Sequence, residues 1–353
     1  MVDKSKTNNR ILIYVYSPPW RANSAGIKVL HFLVHSLNQV GNDAWLVLSN
    51  PTVRNEPITN PKLNTPILTQ EKADDHYAER RNPWVVYSET VPGNPLGASK
   101  VVRYLLNFPG TLGGPSQFED GEVIVSYSKT ISDSYKKSDS TLFIPIVDLE
   151  ELPDEISAEN KKGSLIYAGK YRKFVGNPDI SKIEDAVEIF RDGPRKQSRD
   201  QVLQMLNEAK VIYVYENSTI ATEALLLGTV CIFVPNRFLN LNISKFELGE
   251  DGIGYFGDVD SIEQAWVNVG KYKFAYKHAV EAFWSSIQDF ESLLKSRENE
   301  QNILSRIFVP KSAIFISRHR LRLLRSYVSN QGIWAAAKLL KNYVISRFHT
   351  SKV

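Results

Sequence analysis

The sequence predicts an α/β protein of two domains, each a mostly parallel sheet with helices on both faces, followed by a basic helical tail. Three observations lead there. Apolar runs of strand length alternate with helix-like segments from the start, a pattern in which each helix returns the chain to begin a parallel neighbour. The alternation stops in an acidic and polar stretch at 148–162 and then restarts. The chain has 353 residues, 42% of them hydrophobic, which is enough for two cores.

In order, residues 11–17 read as a strand, 26–40 as a helix and 43–49 as a second strand. A Pro- and Asn-rich stretch occupies 50–83. Further buried strands are expected at 84–89, 123–128 and 142–146, with a tight turn at 90–96 leading into a helix that carries Arg103. These elements form a first domain of residues 1–150. A second domain, 151–300, has strands at 164–169, 186–190, 211–215 and 230–235, and helices at 198–208 and 218–227. Ser261-Ile262-Glu263-Gln264 is a capping-box pattern, expected to start a long helix reaching toward Glu300. Two such domains leave a cleft between them.

Composition excludes several classes. The single cysteine, Cys231, lies inside the apolar run 230–234, so neither a disulfide framework nor a cysteine metal site is possible, and a reducing, cytoplasmic setting is expected. Residues 1–10 are polar and charged, and no run approaches the roughly 18 apolar residues of a spanning helix. The chain is therefore expected to be neither exported nor inserted. Its net charge of +4 is unevenly spread: 301–353 holds ten Lys or Arg and no Asp or Glu, leaving 33 basic against 39 acidic residues in the first 300. On a helix, Ile333, Ala336, Ala337, Leu340, Tyr343, Val344 and Phe348 share one face, opposite Lys338 and Lys341. A basic amphipathic segment at 317–348 suits an anionic membrane surface, here the inner face of the cell membrane. It would equally pack on its own domain or pair with another subunit. No nucleic-acid module accompanies the cations, so nucleic acid is not an expected partner.

The most informative segment is 211–228, where a strand runs through Tyr215, Glu216 and Asn217 into a helix headed by Ser218 and Thr219. Backbone N–H groups at a helix start, with the helix dipole and two hydroxyls, suit a diphosphate. Glu223, one to two turns on, is a carboxylate that could accept hydrogen bonds from both hydroxyls of a ribose. The plainer alternative is an ordinary cap followed by a surface glutamate. This segment resembles the donor-binding region of glycosyltransferases of the GT-B architecture, in which two Rossmann-like domains face one another across a cleft. The matching residues are Tyr215-Glu216, Thr222-Glu223-Ala224, Gly228 and the buried strand 230–235. Large retaining families place seven residues between their two glutamates, whereas Glu216 and Glu223 have six between them. The resemblance thus assigns Glu223 to the ribose and leaves the role of Glu216, and the stereochemical outcome, open.

The resemblance extends upstream to 165–173, which looks like the first strand and phosphate-facing loop of such a donor domain. It implies that Lys170, Arg172 and Lys173 balance the charge of a departing diphosphate. Phe190 and Arg191 match the region that frames the nucleobase. In the first domain, Gly26 belongs to a small-residue loop resembling the one that faces donor and acceptor. Glu89, at a strand end, is a candidate general base for an acceptor hydroxyl, or else a brace for the turn that follows. The stretch 84–110 resembles a motif of bacterial surface-polysaccharide glycosyltransferases. His31 and His35 are four apart but lack a carboxylate at matching spacing, so no metal site is expected. Gly252, Gly254 and Gly257 match a dinucleotide-binding spacing in the wrong context, and Asp258-Val259-Asp260 reads as a helix cap.

The reading is a glycosyltransferase taking a nucleotide-diphosphate sugar as co-substrate, with no other cofactor and no metal. Its acceptor would be a saccharide or lipid-linked saccharide in surface polysaccharide assembly. Two other functions suit the same pair of domains: a sugar-nucleotide epimerase, and a non-catalytic nucleotide-sugar or membrane-surface binding protein.

Overall fold

A computed structural model describes residues 10–49, 57–179, 183, 185–298 and 303–310. The basic segment 317–348 lies outside the described residues. Two compact units result: the described residues up to Ile146 together with those from Ala282 onward, and Val147–Glu281.

The first unit contains β1 (Leu12–Ser17), α1 (Ala25–Gln39), β2 (Asp43–Leu48), α2 (Gln70–Ala78), β3 (Trp84–Ser88), β4 (Lys100–Leu105), β5 (Val123–Ser126), α3 (Lys129–Tyr135) and β6 (Ser140–Thr141). Its strands form one sheet in the order β2-β1-β3-β4-β5-β6, and every ladder is parallel. The second unit contains β7 (Ser164–Tyr167), α4 (Gly169–Phe174), β8 (Ala186–Glu188), α5 (Arg199–Glu208), β9 (Val211–Val214), α6 (Thr219–Leu226), β10 (Val230–Phe233), α7 (Lys245–Leu248), β11 (Ile253–Tyr255) and α8 (Val259–Asn268). Its sheet, β11-β10-β9-β7-β8, is parallel throughout. The last helix, α9 (Tyr272–Ser296), starts in the second unit and from Ala282 belongs to the first.

Burial on both faces explains the near-continuous apolar strands. In β1, Ile13 and Val15 face α1 and the later part of α9, where Leu33, Leu37, Ile287 and Leu294 pack. Leu12, Tyr14 and Tyr16 face the opposite way, with Leu68, Ala73 and Ile307. Ile307 is delivered by a strap at 303–310. Asn82 and Ser99 both donate to the Ile303 carbonyl, at 3.0 and 2.6 Å, and Ser99 N–H donates to Ser305 Oγ at 2.7 Å. Further on, Gln70 of α2 donates to the Ile307 carbonyl and accepts from Val309 N–H.

Three sequence expectations are corrected. Residues 100–105 form a strand rather than a helix carrying Arg103. All six are buried, and their β-branched pair Val101-Val102 suits a two-sided sheet better than a helix. The strand expected at 142–146 makes no ladder of its own. The edge is instead the two-residue β6, although Leu142, Ile144 and Ile146 still enter the core. The helix expected from Ser261 starts earlier, at the 258–260 stretch that reads as a helix cap: Asp258 is the N-cap and accepts from Ser261 N–H at 3.1 Å. It then breaks at a 3₁₀ turn, Val269–Lys271, before α9.

Two glycines of the 252–257 spacing have a packing cause. A Cβ on Gly254, inside β11, would lie 2.9 Å from the Ile262 backbone of α8, and one on Gly252 would lie 2.7 Å from the Leu225 side chain.

Ile307→Ala should lower the stability of the first unit by about 2–4 kcal/mol through an unfilled core site. Arg306→Ala, at the exposed ion pair with Asp74, should change it by less than about 0.5 kcal/mol. Urea unfolding of both variants measures the difference.

Candidate functional site

In the second unit the crossovers change direction between β7 and β9. β8 lies on one side of β7, while β9, β10 and β11 extend on the other. In doubly wound sheets the ligand crevice lies beyond the carboxyl ends of the two strands at such a switch. The sequence places Gly169-Lys170 after β7, and Tyr215 to Ser218 after β9.

Glu216 is almost fully buried there. Its carboxylate accepts from the N–H of Lys170, which starts α4, with further hydrogen bonds from Tyr171 N–H and the Tyr167 hydroxyl. Lys170 Nζ stands 3.8 Å from the same carboxylate and donates to the Asn217 carbonyl at 3.3 Å. Burial pushes the Glu216 carboxyl above its ordinary range, and the Lys170 charge and hydrogen bonds oppose that shift without cancelling it. The Tyr167 hydroxyl is pushed up by burial and by Glu216. Lys170 thus faces Glu216, and the segment expected to be a phosphate-facing loop is the short helix α4.

Arg172 is engaged as well. Its guanidinium makes a two-pronged pair with Glu188, at 2.9 and 2.6 Å, and donates to Asn177. Two guanidiniums stand over the Phe190 ring, Arg195 at 3.9 Å and Arg172 at 5.7 Å from its centroid. Lys173 places its ammonium 5.5 Å from the Phe174 ring. Arg191 acts on Tyr167 electrostatically, offsetting part of the upward push that burial and Glu216 give its hydroxyl. Tyr215 is a core residue: it packs on Tyr171 at 5.1 Å, and its hydroxyl donates to the Asp179 carbonyl at 3.0 Å.

Ser218 is the N-cap of α6, in extended conformation, and its side chain makes no capping hydrogen bond. Its Oγ is enclosed and has no partner. Thr219 follows as the first residue of the helix and is buried. Asn217 fastens the loop beyond: it donates to the Leu241 carbonyl at 2.9 Å and accepts from Ile243 N–H at 3.2 Å. Glu223, 1% exposed, accepts from Arg199 NH1 at 2.7 Å. Arg199 was not singled out in the sequence. The capping box of Ser198 and Gln201, which fixes it as the first residue of α5, is legible, but its pairing across to α6 has no sequence signal.

In the first unit the direction changes between β1 and β3. Glu89 follows β3 and is buried; its Oε2 accepts from Leu106 N–H at 3.0 Å. A Cβ on Gly26 would lie 3.4 Å from Leu106 Cδ1, so Leu106 links the two predicted residues of this end. The following turn is clamped by buried Arg103, which pairs with Glu122 at 2.8 and 2.9 Å and donates to the Val91 and Gly93 carbonyls. His31 contacts the Pro18 carbonyl through Nε2 at 3.1 Å, and His35 accepts from Asn64 N–H. Their partners hold the β1–α1 and 60–64 loops.

The sequence matches no family model and no curated protein. Solved structures that align with the chain include a glycosyltransferase involved in avilamycin A biosynthesis, at 14% identity and TM-score 0.41, covering 82% of this chain and 98% of that one. Sucrose-phosphate synthase from Thermosynechococcus elongatus aligns at 9% identity and TM-score 0.49, covering 83% and 100%. A candidate UDP-N-acetylglucosamine 2-epimerase from Listeria monocytogenes aligns at 10% identity and TM-score 0.40, covering 84% and 100%.

Glu216 gives a pH-dependent expectation. With a folded pKa above the ordinary 4.5, the stability tied to its protonated form is complete below that value and is lost as pH rises through the folded pKa. Glu216→Gln cannot ionise, so its stability relative to wild type should improve between pH 4.5 and pH 8, as read by urea unfolding across that range.

Proposed function

We propose that the chain is a GT-B glycosyltransferase that moves a sugar from a nucleoside-diphosphate donor to a saccharide or lipid-linked saccharide acceptor in surface polysaccharide assembly. The observation that carries this reading is the start of α6 beside the β7/β9 switch, where Ser218 Oγ is enclosed and unpartnered. The donor's diphosphate would lie at that helix start, on Ser218 and Thr219, with its ribose toward Glu223.

As the bond to the sugar breaks, negative charge gathers on the leaving phosphate. The α6 dipole and the Lys173 ammonium would stabilise it, with a smaller share from Lys170, which already faces Glu216. Arg172 adds less to that field, since Glu188 already balances it. On the acceptor side Glu89 would take the hydroxyl proton, its carboxylate aimed by the Leu106 amide. The chain's basic end suits an anionic membrane surface, where a lipid-linked acceptor would be found.

The test is release of nucleoside diphosphate from candidate donors with and without saccharide acceptors. Acceptor-dependent release is expected. A change in the sugar's configuration with no acceptor present would replace the transferase reading by an epimerase. Glu223→Gln should weaken nucleoside-diphosphate binding roughly ten-fold, about 1.4 kcal/mol, and unchanged affinity in calorimetry would remove the ribose assignment. Glu89→Gln should cut kcat by about 10²–10⁴, and unaltered turnover would leave it as a brace only. In sedimentation, the protein should pellet with anionic phospholipid vesicles and release as salt rises; no binding at low salt would rule out the membrane contact.

A further inference from the structure

A helix that covers a sheet needs one apolar face, and α5 keeps to that rule. It turns Val202, Leu203 and Leu206 inward and leaves Asp200, Gln201, Gln204 and Glu208 in water. α8 departs from it. Ile262 and Ala265 pack with Val230 and Ile232 of β10, yet Val259, Trp266 and Val267 are exposed, Val267 to 82%. The backbone stays in the right-handed helical region at Asn268, Val269 and Tyr272, on either side of the 3₁₀ turn. The outward stripe therefore continues at helical spacing from Val267 through Gly270 to Phe274. A Cβ on Gly270 would meet nothing within 4 Å, and Phe274 is 75% exposed. All of these residues belong to the second unit.

Charge follows the same stretch. Between Glu263 and Glu281 stand Lys271, Lys273, Lys277 and His278 and no acidic residue. Lys271 and Lys277 are exposed, and Lys273 has Glu155 at 3.8 Å.

Three kinds of occupant could cover exposed Trp, Val and Phe side chains set among ammonium groups. The chain's own end, 301–353, holds ten Lys or Arg and no Asp or Glu, so the same lysines repel it. A second copy would bring lysines against lysines across a two-fold axis. Four apolar side chains also fall short of the about 800 Å² that each partner gives to a stable dimer. An anionic bilayer accepts both halves of the pattern, since apolar side chains enter the headgroup boundary while lysine ammoniums meet the lipid phosphates.

We propose that the corner between α8 and α9 is an interfacial anchor, which inserts Trp266, Val267 and Phe274 into the surface of an anionic membrane and sets Lys271 and Lys277 against its headgroups. The anchor belongs to the folded body of the second unit. It is separate from the contact made by the chain's basic end, and it does not depend on the donor reading.

The full chain is tested on vesicles of phosphatidylcholine and phosphatidylglycerol. Val267→Cys can carry a polarity-sensitive fluorophore selectively, because Cys231, the one native cysteine, is fully buried. Lys162→Cys, exposed in the same unit, is the reference. Vesicles should brighten and blue-shift the probe at 267 and leave the one at 162 unchanged. Val267→Ser combined with Phe274→Ser should weaken binding roughly ten-fold in vesicle sedimentation. Both side chains stand mostly in water, so the melting temperature of that variant should match wild type. Pelleting with no change of the probe at 267 overturns the anchor and leaves the contact of the basic end standing. Wild-type affinity in the double variant overturns it, as does failure of the full chain to bind these vesicles at all. Self-association in sedimentation equilibrium that the double variant abolishes overturns it in favour of a second copy.

Discussion

A parallel strand must be joined to its neighbour by a crossover, and a sheet wound outward from its middle has one place where the crossovers part. At that place the two flanking strands end beside each other with no connection covering them. In the second unit this falls between β7 and β9, and in the first between β1 and β3. The predicted site residues of each unit gather at or near these ends because the winding leaves backbone and side chains uncovered by a connection there. The rest of each unit serves mainly to hold both faces of the sheet dry.

What distinguishes these ends chemically is that their charges are already committed. Lys170 faces Glu216, Arg172 faces Glu188, Arg199 faces Glu223 and Arg103 faces Glu122. A buried pair gains little net stability once desolvation is counted, although breaking one is expensive. The pairs therefore fix positions rather than add stability. An incoming anion at the second unit meets a field already balanced, and must gain from backbone N–H groups and from rearranged pairs. Glu216 shows the tension most clearly: it occupies the start of α4 in a setting that disfavours its own ionised form.

Much of the fold was legible in the chain, because period and punctuation act locally. β1, β2, α1, α5, α6, β9 and β10 follow from apolar runs and caps within a residue or two. The errors have identifiable causes. Arg103 sits in a buried strand because Glu122, nineteen positions on, and the Val91 and Gly93 carbonyls take up its guanidinium, partners that local sequence does not record. The helix starts at Asp258 because its carboxylate takes the Ser261 N–H, while the Ser261 hydroxyl turns back to the Asp258 carbonyl and the Tyr255 N–H instead of capping. At the site, Ser218, Thr219 and Glu223 were visible as a polar helix start with a carboxylate after it. Arg199 was not, since nothing along the sequence records which helix lies beside α6.

The strap at 303–310 bears on the order in which the molecule can be made. Ile307 fills the face of the first sheet opposite α1, and Leu294 and its neighbours on α9 fill the other. The first sheet therefore cannot be finished until the chain has been made through Ile307, whereas Val147–Glu281 contains its own contacts and can consolidate sooner. The first unit's sheet waits meanwhile as an incomplete layer with apolar surface showing, a state in which nascent chains need protection from aggregation.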